Sequence, residues 1–291
     1  SALVVDADVT AMGEGSEVIT IAQSNGGTAT ANNVTKTITI DTTAPTASNV
    51  TISSNNATNT LAKNGDTVSL TFTVSETLAA DPTVTIFGET ATITNDGLNY
   101  TASLTLSGNE AESAAPFVID FDDAAGNSAT QITAVSGTGA SSSVTADFTA
   151  PTVTLADDQT GTTTDADAVV TYTATFSEAV TGFVIGDLNV SGGTASNFAG
   201  SGTTYTFDVT ADDNSTDAIT VDIAGSAAID ANDNVSIVAT QATQAVDTTN
   251  PTVTLADDQD NTADDADAVV GYTATFSEAV TGFVIGDLNV S

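Results

Sequence analysis

The sequence predicts an all-β chain of tandem antiparallel β-sandwiches, about seven strands each in Greek-key order, set end to end in an elongated array. Three observations carry that prediction. Apolar residues recur at every second position, Gly/Asn/Asp turns break the runs at short intervals, and whole blocks return about every hundred residues.

The alternation comes first. In "VVTYTATFSE" (169–178), Val170, Tyr172, Ala174 and Phe176 fall on one face while Thr171, Thr173 and Thr175 fall on the other. "YTFDVT" (205–210) and "ITVDI" (219–223) alternate likewise. Successive side chains of a strand point to opposite sides, so this pattern marks a half-buried strand with a threonine-rich wet face. No segment combines a helical period with caps.

Repetition then sets the domains. Residues 151–191 recur as 251–291, differing only at 160, 161, 163, 164 and 171. Four of those positions lie in one Asp/Thr/Gly-rich stretch, as a surface loop allows. A more distant copy starts at Pro45, with "VSLTFTVSE" (68–76) in the place of "VVTYTATFSE". The expected units are residues 1–40, the C-terminal half of a repeat; 41–146 and 147–246, two full repeats; and 247–291, the N-terminal half of another. The joints read "DTTAP" (41–45), "DFTAP" (147–151) and "DTTNP" (247–251), with no flexible spacer. Proline fixes its own φ and keeps the preceding residue extended, which predicts stiff connections.

Composition excludes many functions. The 291 residues carry 38 acidic side chains against two lysines, no histidine and no cysteine, for a formal net charge of −36. Such a surface repels nucleic acid and anionic membranes. Zinc or copper sites built on His or Cys, and Ser-His-Asp or Cys-His catalysis, have no residues to build them. Carboxylate pairs suited to glycoside hydrolysis exist, but they recur with the repeat in turns and no Trp lines a cleft. A non-enzymatic protein is expected. No apolar run approaches the roughly 18 residues of a membrane-spanning helix. The opening "SALVVDADV" has neither an initiator Met nor a basic leader and reads as an excerpt or a processed form.

A Greek-key sandwich gives the acidic residues a geometry. The junction Asp, the loop after the second strand and the loop after the sixth should meet at one pole. That would gather Asp41, Glu76, Asp122 and Asp120 in one repeat, and Asp147, Glu178, Asp230 and Asp233 in the next; Asp247 and Glu278 open a third set. Converging carboxylates with no cation to offset them should hold Ca²⁺, which takes about six to eight oxygen ligands in tolerant geometry. A weaker set, Asp157, Asp158, Asp165, Asp167, Asp212 and Asp213, is expected at the opposite pole. The alternative for each of these residues is turn formation, since Asp side chains cap nearby backbone amides. No EF-hand pattern is present.

"DTTAPT", "DDAAGN" and "FSEAVTGFVIGDLNVSGGT" resemble the bacterial Ig-like repeats of large calcium-binding surface adhesins and biofilm-associated proteins. The second full repeat departs from that pattern with "DANDN" (230–234). The resemblance implies Ig-like sandwiches stiffened by calcium between domains, extending a binding tip from a cell surface. The expected function is thus a structural extender of a secreted or cell-surface prokaryotic protein, with neighbouring repeats as partners. The other reading is a subunit of an extracellular filament or lattice, in which copies of the chain join head to tail and the two half-repeats complete each other.

Overall fold

The computed structural model describes residues 12–21, 24–25, 28–29, 34–137, 142–259 and 269–289. The opening "SALVVDADV" lies outside the described residues. Contacts divide the chain into two units. One runs to Thr149 and takes in Ala231–Asn234; the other holds Ala150–Asp230 and the residues from Val235 onward.

In the first unit, β1 (Gly15–Ile21) pairs antiparallel with β4 (Val34–Ile40), and a minor pair joins β2 (Ser24–Asn25) to β3 (Thr28–Ala29). A sandwich follows. Its strands are β5 (Ala47–Ser54), β6 (Leu61–Ala62), β7 (Thr67–Val74), β8 (Thr83–Ile86), β9 (Glu89–Thr90), β10 (Thr92–Asp96), β11 (Asn99–Thr105), β12 (Phe117–Asp120) and β13 (Thr145–Ala146). One sheet has the order β10-β11-β7-β5 and the other β12-β8-β9, while β13 runs parallel to β6. Ile132 bridges Ile119, placing the chain after β12 on the second sheet's free edge. In β7 the alternation holds at every residue: Val68, Leu70, Phe72 and Val74 are buried, and Ser69, Thr71 and Thr73 lie towards solvent. Phe72 stacks between Tyr100 and Phe121, with ring centroids 5.6 and 6.5 Å away. Thr51 and Thr71 share a 2.8 Å hydrogen bond on the wet face.

The second unit repeats the plan. Its strands are β14 (Val153–Asp157), β15 (Val169–Val180), β16 (Leu188–Ser191), β17 (Gly193–Ala211), β18 (Ile219–Ile223) and β19 (Ala242–Gln244). The sheets are β14-β15-β17 and β16-β18-β19. Tyr172 and Phe207 stack at 5.5 Å inside the sandwich. The long run β17 folds back on itself: Asn197 donates to Asp208, and Gly200 lies against Thr204 and Tyr205. Among the described residues the helical content is three short 3-10 turns, at Asp165–Asp167, Ile185–Asp187 and Ile285–Asp287.

A final pair, β20 (Val253–Asp257) and β21 (Tyr272–Phe276), repeats the β14/β15 register a hundred residues on, Val253 facing Phe276 as Val153 faces Phe176. Tyr272 is 61 % exposed where its counterpart Tyr172 is fully buried. Burial here comes from a facing sheet, and among the described residues none covers this pair.

Candidate metal centre

The site in the first unit is built by three separate segments. Asp41 is the first residue after β4, Glu76 follows β7 by two residues, and Asp123 follows β12 by three. One carboxylate oxygen from each lies within 4.8 Å of the others. Asp41 and Glu76 are half-buried and Asp123 is fully buried.

From sequence, Asp122 and Asp120 are expected at this pole and Asp123 is not. The structure does not bring those two into the group. The strand alternation explains why, because it runs on past the end of β12: Phe117, Ile119, Phe121 and Asp123 point inward, whereas Asp120 and Asp122 point outward and are exposed. Asp120 instead accepts both its hydrogen bonds from the Gln131 amide. The signal was present in the sequence. Setting "DAAGN" (123–127) against "DANDN" (230–234) pairs Asp123 with Asp230.

The Asp123 carboxylate also organises its own loop. Oδ1 accepts from the N–H groups of Ala125 and Asn127 at 2.8 Å, and Oδ2 accepts from Asn127 Nδ2 at 2.7 Å. Burial pushes this carboxyl up. The bonds from the Asn127 amide, from the Asn127 and Ala125 backbone and from Gly126 outweigh burial and hold it below the ordinary aspartate value. Asn127 Nδ2 reaches on to the carbonyl of Asp41 at 3.2 Å, tying the loop to the junction. Each carboxylate oxygen offers two lone pairs, so the Asp123 bonds leave acceptor capacity on Oδ2. Hard oxygen donors of this kind fit calcium's preferences, and the set has no thiolate or imidazole.

In the second unit, Glu178 and Asp230 occupy the positions of Glu76 and Asp123, and their carboxylate oxygens also come within 4.8 Å. Asp147, the counterpart of Asp41, directly follows β13 and accepts from Thr149 N at 3.0 Å. Asp233, expected as a ligand, stands elsewhere. It occupies the turn position of Gly126 with φ of 66°, against 95° at the glycine. Its carboxylate lies 3.9 Å from Lys63 Nζ, which also donates to its carbonyl at 3.2 Å. Asn232, in the same short loop, donates to the carbonyls of Ala62 and Thr145.

The opposite-pole residues do not converge into a ligand group. Asp157 accepts from Gln159 N and Asp167 from Thr164 Oγ1 within local turns, while Asp158 accepts from Thr171 N across the mouth of the β14–β15 loop. Asp165, Asp212 and Asp213 are exposed. Asp247 accepts from Thr249 N, and Glu278 is exposed.

The family model described as a bacterial Ig-like domain matches residues 147–246. Among solved structures, the chain is similar to the I9–I11 tandem from titin, at 10 % identity and a TM-score of 0.25, over 76 % of this chain and 72 % of that one. It is also similar to SGBP-B of the Bacteroides ovatus mixed-linkage glucan utilization locus in complex with a mixed-linkage heptasaccharide. That match has 20 % identity and a TM-score of 0.19, over 66 % of this chain and 44 % of that one. None of the curated proteins matches.

Proposed function

We propose, from the match of residues 147–246 to the bacterial Ig-like domain model and from the site geometry, that this chain is a non-enzymatic extender segment of a secreted or cell-surface adhesin-like protein, stiffened by calcium at its joints. The observation that carries the reading is the meeting of Asp41, Glu76 and Asp123 within 4.8 Å in a chain that has two lysines and no other cationic side chain. Asp41 belongs to the joint, Glu76 and Asp123 to the body of the following sandwich. A cation held by all three fixes the joint's angle to that sandwich. Three protein carboxylates are fewer ligands than calcium takes, so carbonyls and water complete the shell.

The test is thermal unfolding and small-angle scattering of the whole chain, in millimolar Ca²⁺ and after chelation. A ligand that binds only the folded state at a hundredfold excess over Kd adds about 2.7 kcal/mol. The expected result is a higher Tm and a longer, stiffer scattering profile in calcium, both lost on replacing Glu76 and Asp123. Identical curves with and without calcium would sink the reading and leave these carboxylates as turn formers.

A further inference from the structure

We propose that each joint is fastened to the repeat before it by a strap that needs no cation, built on a glutamate carboxylate at the first two joints and on backbone carbonyls at the third. At residues 41–43, Thr42 N donates to Glu14 Oε1 at 2.9 Å, and the hydroxyls of Thr42 and Thr43 donate to the same oxygen. Glu14 immediately precedes β1, far from the joint in sequence but beside it in space. At residues 147–149 the arrangement returns: Phe148 N donates to Glu112 Oε1 at 2.9 Å and Thr149 Oγ1 donates to it at 2.8 Å. Glu112 lies in the loop leading into β12, the counterpart position. At residues 247–249 the contact is kept without a carboxylate. Thr248 N donates to the Ser215 carbonyl and Ser215 N to Thr248 Oγ1, both at 2.9 Å; Thr248 Oγ1 donates to the Asp212 carbonyl at 2.7 Å. Ser215 lies in the loop leading into β18, again the same place.

The second amide of each joint is taken by the junction Asp itself: Thr43 N by Asp41, Thr149 N by Asp147 and Thr249 N by Asp247. Two consecutive backbone donors are therefore engaged at every joint, one by the joint's own Asp and one by the preceding repeat. The acceptor changes from Glu to Ser while the contact stays. Holding the linker is thus what the position does, rather than an accident of one exposed glutamate. The bonds, first from the Thr42 and Thr149 hydroxyls, hold both glutamate carboxyls below their ordinary value.

The test is residue-resolved amide hydrogen exchange on the full chain in chelator, comparing the native protein with Glu14→Ala, Glu112→Ala, Glu112→Gln and the surface control Glu89→Ala. In the native protein the amides of Thr42, Phe148 and Thr248 are expected to be protected without calcium. Glu112→Ala should speed exchange at Phe148 by about tenfold or more while leaving Thr42 unchanged, and Glu14→Ala the reverse. Glu112→Gln keeps an acceptor oxygen and should retain most of the protection; Glu89→Ala should change neither amide. Core amides of Leu70 and Phe207 report in the same spectra that the sandwiches remain folded. The proposal is overturned if these junction amides exchange freely in chelator and are protected only with calcium, or if Glu14→Ala and Glu112→Ala leave them unchanged. Junction protection that is intact in chelator, in a protein whose Tm ignores calcium, would instead remove the calcium reading and leave the strap standing.

Discussion

Tyr172 offers the sharpest test of how this sandwich is packed. Its side chain is fully buried, stacked 5.5 Å from Phe207, and its hydroxyl has no hydrogen-bond partner among the described residues. A buried, unpaired hydroxyl forfeits its hydrogen bonds to water, a penalty of about 1–3 kcal/mol. Tyr172→Phe removes the hydroxyl and keeps the ring. Allowing a few tenths of a kcal/mol for the small void, the variant should be more stable by about 1 kcal/mol, a rise of about 4–8 °C in Tm for a sandwich of this size. Tyr205 is the control, since its hydroxyl donates to the Val180 carbonyl at 3.1 Å. Tyr205→Phe breaks that bond and should cost about 1–2 kcal/mol. Alkali separates the two further. Burial, then the charges of Asp157 and Asp158, push the Tyr172 hydroxyl up to about 12. The folded state therefore holds this proton more tightly than the unfolded chain. That stability is complete below pH about 10, the ordinary tyrosine value, and drains away as pH rises towards about 12. Tyr172→Phe lacks that slope. Calorimetry and alkaline denaturation followed by circular dichroism give both readouts. If Tyr172→Phe loses as much stability as Tyr205→Phe, the hydroxyl has a partner and the reasoning fails.

Two further outcomes follow from the same geometry. The Asp123 carboxyl is held below its ordinary value, so its contribution is present above the unfolded pKa and is lost as pH falls through the folded one. Acid denaturation of Asp123→Asn in chelator should lack this loss, and the difference from the native curve cancels the relief of general charge repulsion that both share. Gly192→Ala should destabilise by more than about 2 kcal/mol in denaturant titrations. The backbone there has φ of +74°, and an added Cβ would lie 2.4 Å from the Ala218 carbonyl oxygen. A near-neutral Gly192→Ala would mean that the β16–β17 turn adjusts freely.

The faces of the strands were legible because alternation is a local property. Val170, Tyr172, Ala174 and Phe176 are all buried, and so are Tyr205, Phe207 and Val209 on the strand opposite. The same logic, carried three residues past β12, reaches Asp123; loop position alone favours Asp122 and Asp120. The Gly126 position of the loop was harder to read, because Asp233 takes it in the next repeat with a left-handed backbone that a sequence does not announce.

By itself, then, the sequence determined the all-β class, the repeat period, the wet and dry faces of the sandwich strands, and a charge balance of two lysines against 38 acids. Only the tertiary structure decided which of those acids meet. It drew Asp41, Glu76 and Asp123 together, kept the acids of the opposite pole apart in local backbone contacts or in solvent, and set Glu14 and Glu112 against the junction threonines. Side-chain alternation follows from the sterics of one residue and its neighbours. Convergence depends on how strands dozens of residues apart are placed by the packing of a shared core, and no local pattern encodes that placement.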